Sequence, residues 1–176
     1  MQACYRCLES AATVPRYDVP KAAPEPLRQV QLFLNTVDLH NEVDWLPDWL
    51  AERGGGNVAR ARRLREALRA LVLANNGYED DADALALVDA AARRVALRVE
   101  PEGRVRLESR DAVDEVVAIA LGAMLDGSWR RLKACRHCRW SCYDYSPNRS
   151  ATWCSMQLCG NRDKTRAYRR RRSHGS

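Results

Sequence analysis

The chain has 176 residues and a formal charge of +6, from 29 Lys/Arg against 23 Asp/Glu, and that length holds one ordinary domain plus one small one. The charge is uneven: residues 130–172 carry 13 Lys/Arg against Asp144 and Asp163 alone, while the remainder carries 16 against 21, so a mildly acidic body precedes a polyanion-seeking end. The longest apolar run, residues 116–125, is broken by Gly122 and falls short of the roughly 20 residues of a bilayer span. Residues 1–15 lack the apolar stretch of a secretory signal. A membrane protein is therefore not expected, and the seven cysteines read as thiols of a reducing cytoplasm rather than as a disulfide framework.

Residues 1–24 contain Pro15, Pro20 and Pro24 and read as a flexible lead-in. A helix is predicted from Pro26, with Leu27, Val30, Leu34 and Val37 on its apolar face and Leu32 and Phe33 widening it. Residues 44–50 read as a short helix that Gly54-Gly55-Gly56 ends. Asn57 is a candidate N-cap for the next helix, whose face is Val58, Ala61, Leu64, Leu68, Leu71 and Val72, with Asn75-Asn76-Gly77 as its stop. Asp80, Asp81 and Asp83 suit the first turn of a further helix, with Leu85, Val88 and Ala92 buried. The period then changes to two: Val95, Leu97 and Val99, then Val105 and Leu107 around Pro101-Glu102-Gly103, predict a β-hairpin. A last helix from Asp111 carries Val113, Val117, Ala120, Leu121 and Met124. Asp126-Gly127-Ser128 breaks it, and Trp129 and Leu132 would resume it.

Cys135 and Cys138 form a C-x2-C pair, and Cys154 and Cys159 a C-x4-C pair. Two such pairs can surround one tetrahedral zinc ion with four thiolates, which closes the shell and makes the ion structural rather than catalytic. Between the pairs, residues 140–153 are long enough for a short hairpin, with Tyr143 and Tyr145 on one side and Ser146-Pro147-Asn148 as a turn. A segment this small and poor in aliphatic side chains needs a metal to fold. Cys142 reads as a small buried hydrophobe beside the site, with replacement of a ligand as the alternative. Cys4 and Cys7 form a lone CxxC and read as ordinary thiols.

After Cys159, Gly160 permits a sharp turn, Asn161 is a candidate cap, and residues 162–172 read as a helix without Pro or Gly. Arg162, Arg166, Arg169 and Arg170 share one face of it, flanked by Lys164, Arg171 and Arg172. With Arg149, these are the candidate nucleic-acid contacts. Arg60, Arg62, Arg63, Arg65 and Arg69 form a second basic group, which reads as the solvated side of an amphipathic helix. Asn35, Thr36, Asp38, His40, Asn41 and Asp44 cluster at the end of the first helix. Helix capping explains them, and a small-ligand pocket is the rival reading. No nucleophile–base pattern, Gly-rich phosphate loop or His/carboxylate metal set is recognisable, so no enzyme is expected.

The string Cys159-Gly160-Asn161-Arg162, preceded by Trp153-Cys154-Ser155-Met156, resembles the CGNR zinc-finger family. Asp144, Ser146, Asn148-Arg149-Ser150 and Tyr168-Arg169-Arg170-Arg171 fall where that family's pattern has them. Phe33-Leu34-Asn35-Thr36 and Trp45-Leu46 look like the opening of the N-terminal helical ABATE-type domain of stress-induced transcription regulators. The resemblance implies a DNA-binding regulator of bacterial type with structural Zn2+ on Cys135, Cys138, Cys154 and Cys159. Cys142 and the Cys4/Cys7 pair fall outside its pattern.

The expected architecture is therefore mainly α with one β-hairpin. A lead-in at residues 1–24 precedes a helical regulatory or dimerisation domain at 25–128. A treble-clef-like zinc finger follows at 129–172, and a tail at 173–176. DNA is the expected partner and the cytoplasm, at the nucleoid, the expected location. A homodimer through the N-terminal domain and a small effector remain open. The alternative function is a zinc-stabilised protein- or RNA-interaction module without sequence-specific DNA binding.

Overall fold

The computed structural model describes residues 21–39, 41–162 and 164–165. Helix α1 (Leu27–Leu34) starts at Pro26 and buries Leu27, Val30, Phe33 and Leu34. Two polar residues share that face: Gln31 and Asn35 are also buried. Strands β1 (Val37–Asp38) and β2 (Val43–Asp44) pair antiparallel, Val37 opposite Asp44, so Val37 leaves the helix it was expected to extend. Helix α2 (Leu46–Ala51) has Pro47 in its first turn, where no N–H is needed, and its Trp49 ring lies 5.1 Å from that of Phe33.

Helix α3 (Val58–Ala74) is capped as expected, the Asn57 side chain accepting from the Arg60 N–H. It buries Ala61, Leu64, Leu68, Leu71 and Val72 on the predicted face, but also Arg65 and Arg69. Those two arginines were expected on the solvated side. Instead the Arg65 guanidinium forks onto Asp44 at 2.6 and 3.2 Å and reaches Glu66 and Thr36. Arg69 is held by Glu66, so each buried cation has a carboxylate, which is the condition for burying it. Burial lowers the Arg69 pKa, with Glu66 opposing that shift.

Helix α4 (Ala82–Ala92) is capped by Asp81 and packs through Ala84 and Val88; Leu85, expected in the core, is 47 % exposed. Strands β3 (Ala96–Val99) and β4 (Val105–Glu108) form the predicted hairpin, Leu97 opposite Leu107 and Val99 opposite Val105. Leu97, Val99 and Val105 remain exposed. Helix α5 (Ala112–Leu125), capped by Asp111, sends Val113, Val116, Val117, Ala120 and Ala123 into the core.

Beyond α5 the sequence reading needs two corrections. Residues Ser128–Arg131 form a 3-10 turn and β5 (Leu132–Ala134) follows, so the helix does not resume. Strand β5 pairs antiparallel with β6 (Ser141–Tyr143), Leu132 opposite Tyr143. The hairpin therefore encloses the Cys135/Cys138 pair instead of lying between the two cysteine pairs. The described residues thus hold three antiparallel strand pairs, of which β1–β2 is the one the sequence did not suggest.

One apolar core joins α1 to α5 and takes in Trp129, Leu132, Ala134 and Tyr143 from the C-terminal segment. A second, much smaller cluster contains Cys135, Trp140, Cys142, Cys154 and Cys159. Among the described residues, no helix is long and apolar enough to cross a membrane.

Candidate metal centre

Strands β5 and β6 hold the first cysteine pair at the tip of their hairpin. The Cys135 N–H donates to the Trp140 carbonyl at 2.8 Å, and the Arg139 N–H returns to the Cys135 carbonyl at 2.9 Å. Arg139 takes a left-handed φ of 63° to close this turn. The second pair sits on a helical turn of π type, Met156–Gly160, in which the N–H groups of Cys159 and Gly160 both donate to the Ser155 carbonyl. Asn161, Arg162, Lys164 and Thr165 continue helical, and the Thr165 hydroxyl donates to the Asn161 carbonyl at 2.9 Å. The helical segment therefore begins before Cys159, and Asn161 lies inside it rather than capping it.

Gly160 serves packing, not a left-handed turn. A Cβ there would lie 2.7 Å from the Met156 sulfur and 2.8 Å from Trp153 Cδ1. A hairpin carrying one pair and a helical turn carrying the other give the treble-clef arrangement.

The four sulfurs lie within 4.8 Å of one another. Cys138 and Cys154 are 3.6 Å apart, Cys154 and Cys159 3.6 Å, and Cys138 and Cys159 3.7 Å. A tetrahedral ion with metal–sulfur bonds of ~2.3 Å needs S···S edges of about 3.8 Å, so the donor set fits a zinc-sized cation. Cys135, Cys154 and Cys159 are buried and Cys138 half-buried. Hydrogen bonds from Cys138 and Cys154 hold the Cys135 thiol far below its ordinary value. The same sharing pushes Cys138 up to about 12 and Cys154 higher still, and burial raises Cys159. Sulfurs this close resist ionising together, which is the repulsion a divalent cation relieves. Cys142 stands outside the four; burial pushes its thiol up to about 12, as suits a small hydrophobe.

The loop after β6 is built around a buried ion pair. Lys133 and Asp144 are 4 % and 0 % exposed, and Lys133 Nζ lies 2.9 Å from Asp144 Oδ2. Asp144 also accepts from the Ser146 N–H and hydroxyl and from the Ala151 N–H. Burial alone would raise its pKa, but these bonds and Lys133 hold it well below the carboxylate range. Arg149 is exposed at the tip of this loop, and Arg162 and Lys164 are exposed beyond the second pair. Arg166, Arg169, Arg170, Arg171 and Arg172, like His40, Cys4 and Cys7, lie outside the described residues.

Sequence reasoning missed how the body grips this centre. The Asn35 amide pairs with the Ser141 backbone, accepting its N–H at 2.8 Å and donating to its carbonyl at 3.0 Å. Gln31 donates to the same carbonyl. Residues 21–23, expected within the lead-in, lie along β6: the Tyr143 N–H donates to the Lys21 carbonyl, the Ala23 N–H to the Gln31 side chain, and Lys21 Nζ to the Trp153 carbonyl. Asn76 donates to the carbonyls of Ala134 and Thr152, and Asn75 to those of Trp129 and Leu132. Arg69 reaches the Arg139 carbonyl and Arg136 the Asn76 carbonyl, and both Arg136 and Arg139 lie over the Tyr78 ring. The readable signal was two polar residues, Gln31 and Asn35, at i and i+4 on an apolar stripe. Of the polar cluster read as caps, Asn35 is thus a docking group, Thr36 and Asp44 hold Arg65, and Asp38 holds Asn41.

Two known families match parts of the chain. Residues 131–172 match the CGNR zinc finger, and residues 28–128 match ABATE, described as “Putative stress-induced transcription regulator”. No curated protein matches the chain. With more than half of its length in the regulator match, the chain belongs to the ABATE family, and it carries a CGNR zinc finger.

Proposed function

We propose that the chain regulates transcription by binding DNA through its finger. In this reading Cys135, Cys138, Cys154 and Cys159 hold one structural Zn2+, which fixes the hairpin against the helical turn and takes no part in chemistry. Arg149, Arg162 and Lys164, together with Arg166, Arg169, Arg170, Arg171 and Arg172, supply phosphate contacts and base readout. The observation that carries it is the four-sulfur cluster joined directly to cations without carboxylate partners: among the described residues, neither Arg149, Arg162 nor Lys164 is in an ion pair.

A regulator of this kind works beside the nucleoid. Pairing of two copies through the N-terminal domain belongs to the same reading. So does a small effector, for which the open groove between α3 and α4, about 570 Å³ and lined by Arg62, Arg63, Glu66, Asp81 and Asp83 among others, offers room.

Fluorescence anisotropy with a random-sequence duplex over a salt series tests the function. If about six phosphates are neutralised, log K falls with log salt at a slope near −5. Binding should vanish on zinc removal and weaken when Arg166, Arg169 and Arg170 become Gln. Duplex binding that is absent, or indifferent to salt and to those arginines, would overturn the reading, and selective binding of single-stranded RNA would replace it with the RNA-module alternative.

A further inference from the structure

Resting on the DNA-binding reading, we propose that the loop at residues 144–151 is a preformed second reading element, separate from the arginine-rich C-terminal segment, in which Asn148 and Arg149 meet base edges. The loop is held at the backbone of Asp144, Ser146 and residues 149–151. Asp144 receives both Ser146 groups and the Ala151 N–H. Lys133 Nζ donates to the carbonyls of Arg149 and Ala151. Arg131 donates to the carbonyls of Asp144 and Ser146 at 2.9 and 3.0 Å, and the Ser150 N–H donates to the Ser146 hydroxyl. The Arg149 N–H returns to the Ser146 carbonyl at 3.2 Å.

Against this fixed backbone, the tip side chains are free. Pro147, Asn148, Arg149 and Ser150 are exposed, and among the described residues the side chains of Asn148 and Arg149 have no partner. A buried ion pair is a poor choice for stability alone, since two well-packed apolar residues serve as well or better. What it provides here is a loop with one shape. A fixed loop pays no ordering cost on binding.

The residue at the tip points the same way. Arg149 holds a left-handed φ of 50°, a region that Gly or Asn enters more easily than Arg. Local strain retained by an over-determined backbone is typical of binding loops. The two free side chains are the planar forks that duplex DNA recognition uses, Arg onto guanine O6 and N7 and Asn onto adenine N6 and N7.

The experiment selects a preferred duplex from a random pool with the full-length zinc-loaded chain, then measures Arg149→Asn and Asn148→Ala on the selected and on a scrambled duplex. Asn accepts a left-handed φ, so Arg149→Asn should melt at or above the wild-type temperature and keep its zinc. Yet it should lose about 5- to 150-fold in affinity for the selected duplex, the range of one bidentate base contact, with a much smaller loss on the scrambled one. Asn148→Ala should relax the preference at one base position. Stability and selectivity moving in opposite directions is something a merely structural arginine would not produce. If both variants bind the selected duplex within twofold of wild type and enrich the same motif, the loop does not read DNA. If Arg149→Asn loses zinc or unfolds, the arginine is structural and the inference fails. Wild-type protein that binds no duplex at all overturns the DNA-binding reading itself, a result distinguishable from either.

Discussion

The body and the finger treat the same residue type in opposite ways. In the body, most of the described arginines are neutralised locally: Arg60 and Arg94 share Asp114, Arg62 and Arg65 share Asp44, Arg69 takes Glu66, and Arg98 takes Glu108, while Arg28, Arg63 and Arg110 are exposed and in no ion pair among the described residues. In the finger, among the described residues, Lys133 is the one cation with a carboxylate partner. Arg131 and Arg136 sit on backbone carbonyls, and Arg149 and Arg162 extend free. The difference separates charge used for folding from charge left for a polyanion. It teaches that, among the described residues, the excess of cations in the finger is also an imbalance of pairing, which composition alone does not reveal. The two regions differ equally in what holds them. The body has a continuous apolar core, whereas the small cluster around Cys135, Trp140, Cys142, Cys154 and Cys159 contains no aliphatic side chain among the described residues.

The largest expected effect therefore follows from removing the metal. Structural zinc contributes on the order of 10 kcal/mol to modules of this size, comparable to a whole domain's net stability. Purified protein should carry one zinc per chain. Chelation, or Cys154→Ser, should abolish amide-exchange protection at residues 135–160 while much of the far-UV helical signal of α1 to α5 persists. Retained protection in the stripped protein would show that the cluster folds without an ion and would erase the contrast between the regions.

How much of this was legible follows from how local each signal is. The cap at Asn57 was readable because a cap is a contact within three residues; Asp81, read as a first-turn acid, and Asp111, read as a helix start, are caps of the same kind. The candidate metal residues were readable because short spacing forces each pair together. Arg65 and Arg69 were misread because their partners, Asp44 and the carbonyls of Leu34 and Arg139, are remote in sequence. The finger hairpin was misplaced for a related reason: β6 pairs backward across the first cysteine pair, and residues 140–153 carry no alternation that would indicate which neighbour it chooses. Asn75-Asn76-Gly77 was read correctly as a helix stop. Its second role, four amide donations into the finger, depends on tertiary placement that no local pattern encodes.

That grip yields the next test, because it blurs the line between the two regions. Asn35→Ala would strand the buried Ser141 N–H, while the Ser141 carbonyl keeps Gln31, and Asn76→Ala would strand the Ala134 carbonyl, while that of Thr152 keeps the Arg136 N–H. Each should cost about 1–3 kcal/mol, the penalty of one stranded buried polar group. Urea unfolding followed separately by helical signal and by zinc release measures it. If both probes shift together, the body and finger unfold as one unit. If only zinc release moves, the body is independent of the finger, and the shared residues Trp129, Leu132 and Tyr143 are dispensable to it.

The smallest effect belongs to the body's surface pairs, and it separates pairing for stability from pairing for charge balance. Arg98 Nε lies 2.9 Å from Glu108 Oε2 on the exposed β3–β4 hairpin, and that hydrogen bond and charge lower the Glu108 pKa. A carboxyl held low in the folded state adds stability above its unfolded pKa and loses it as pH falls through the folded value. Because both groups are solvated, salt screens the interaction. Arg98→Gln should therefore leave the melting temperature at neutral pH unchanged within error. It should still raise the Glu108 pKa toward its ordinary value, as read by NMR titration at low salt, and the shift should shrink as salt is added. A clear loss of thermal stability would mean that the hairpin pairs support the fold. The body's paired arginines would then be structural even at its surface, which would sharpen the contrast with the unpaired cations of the finger.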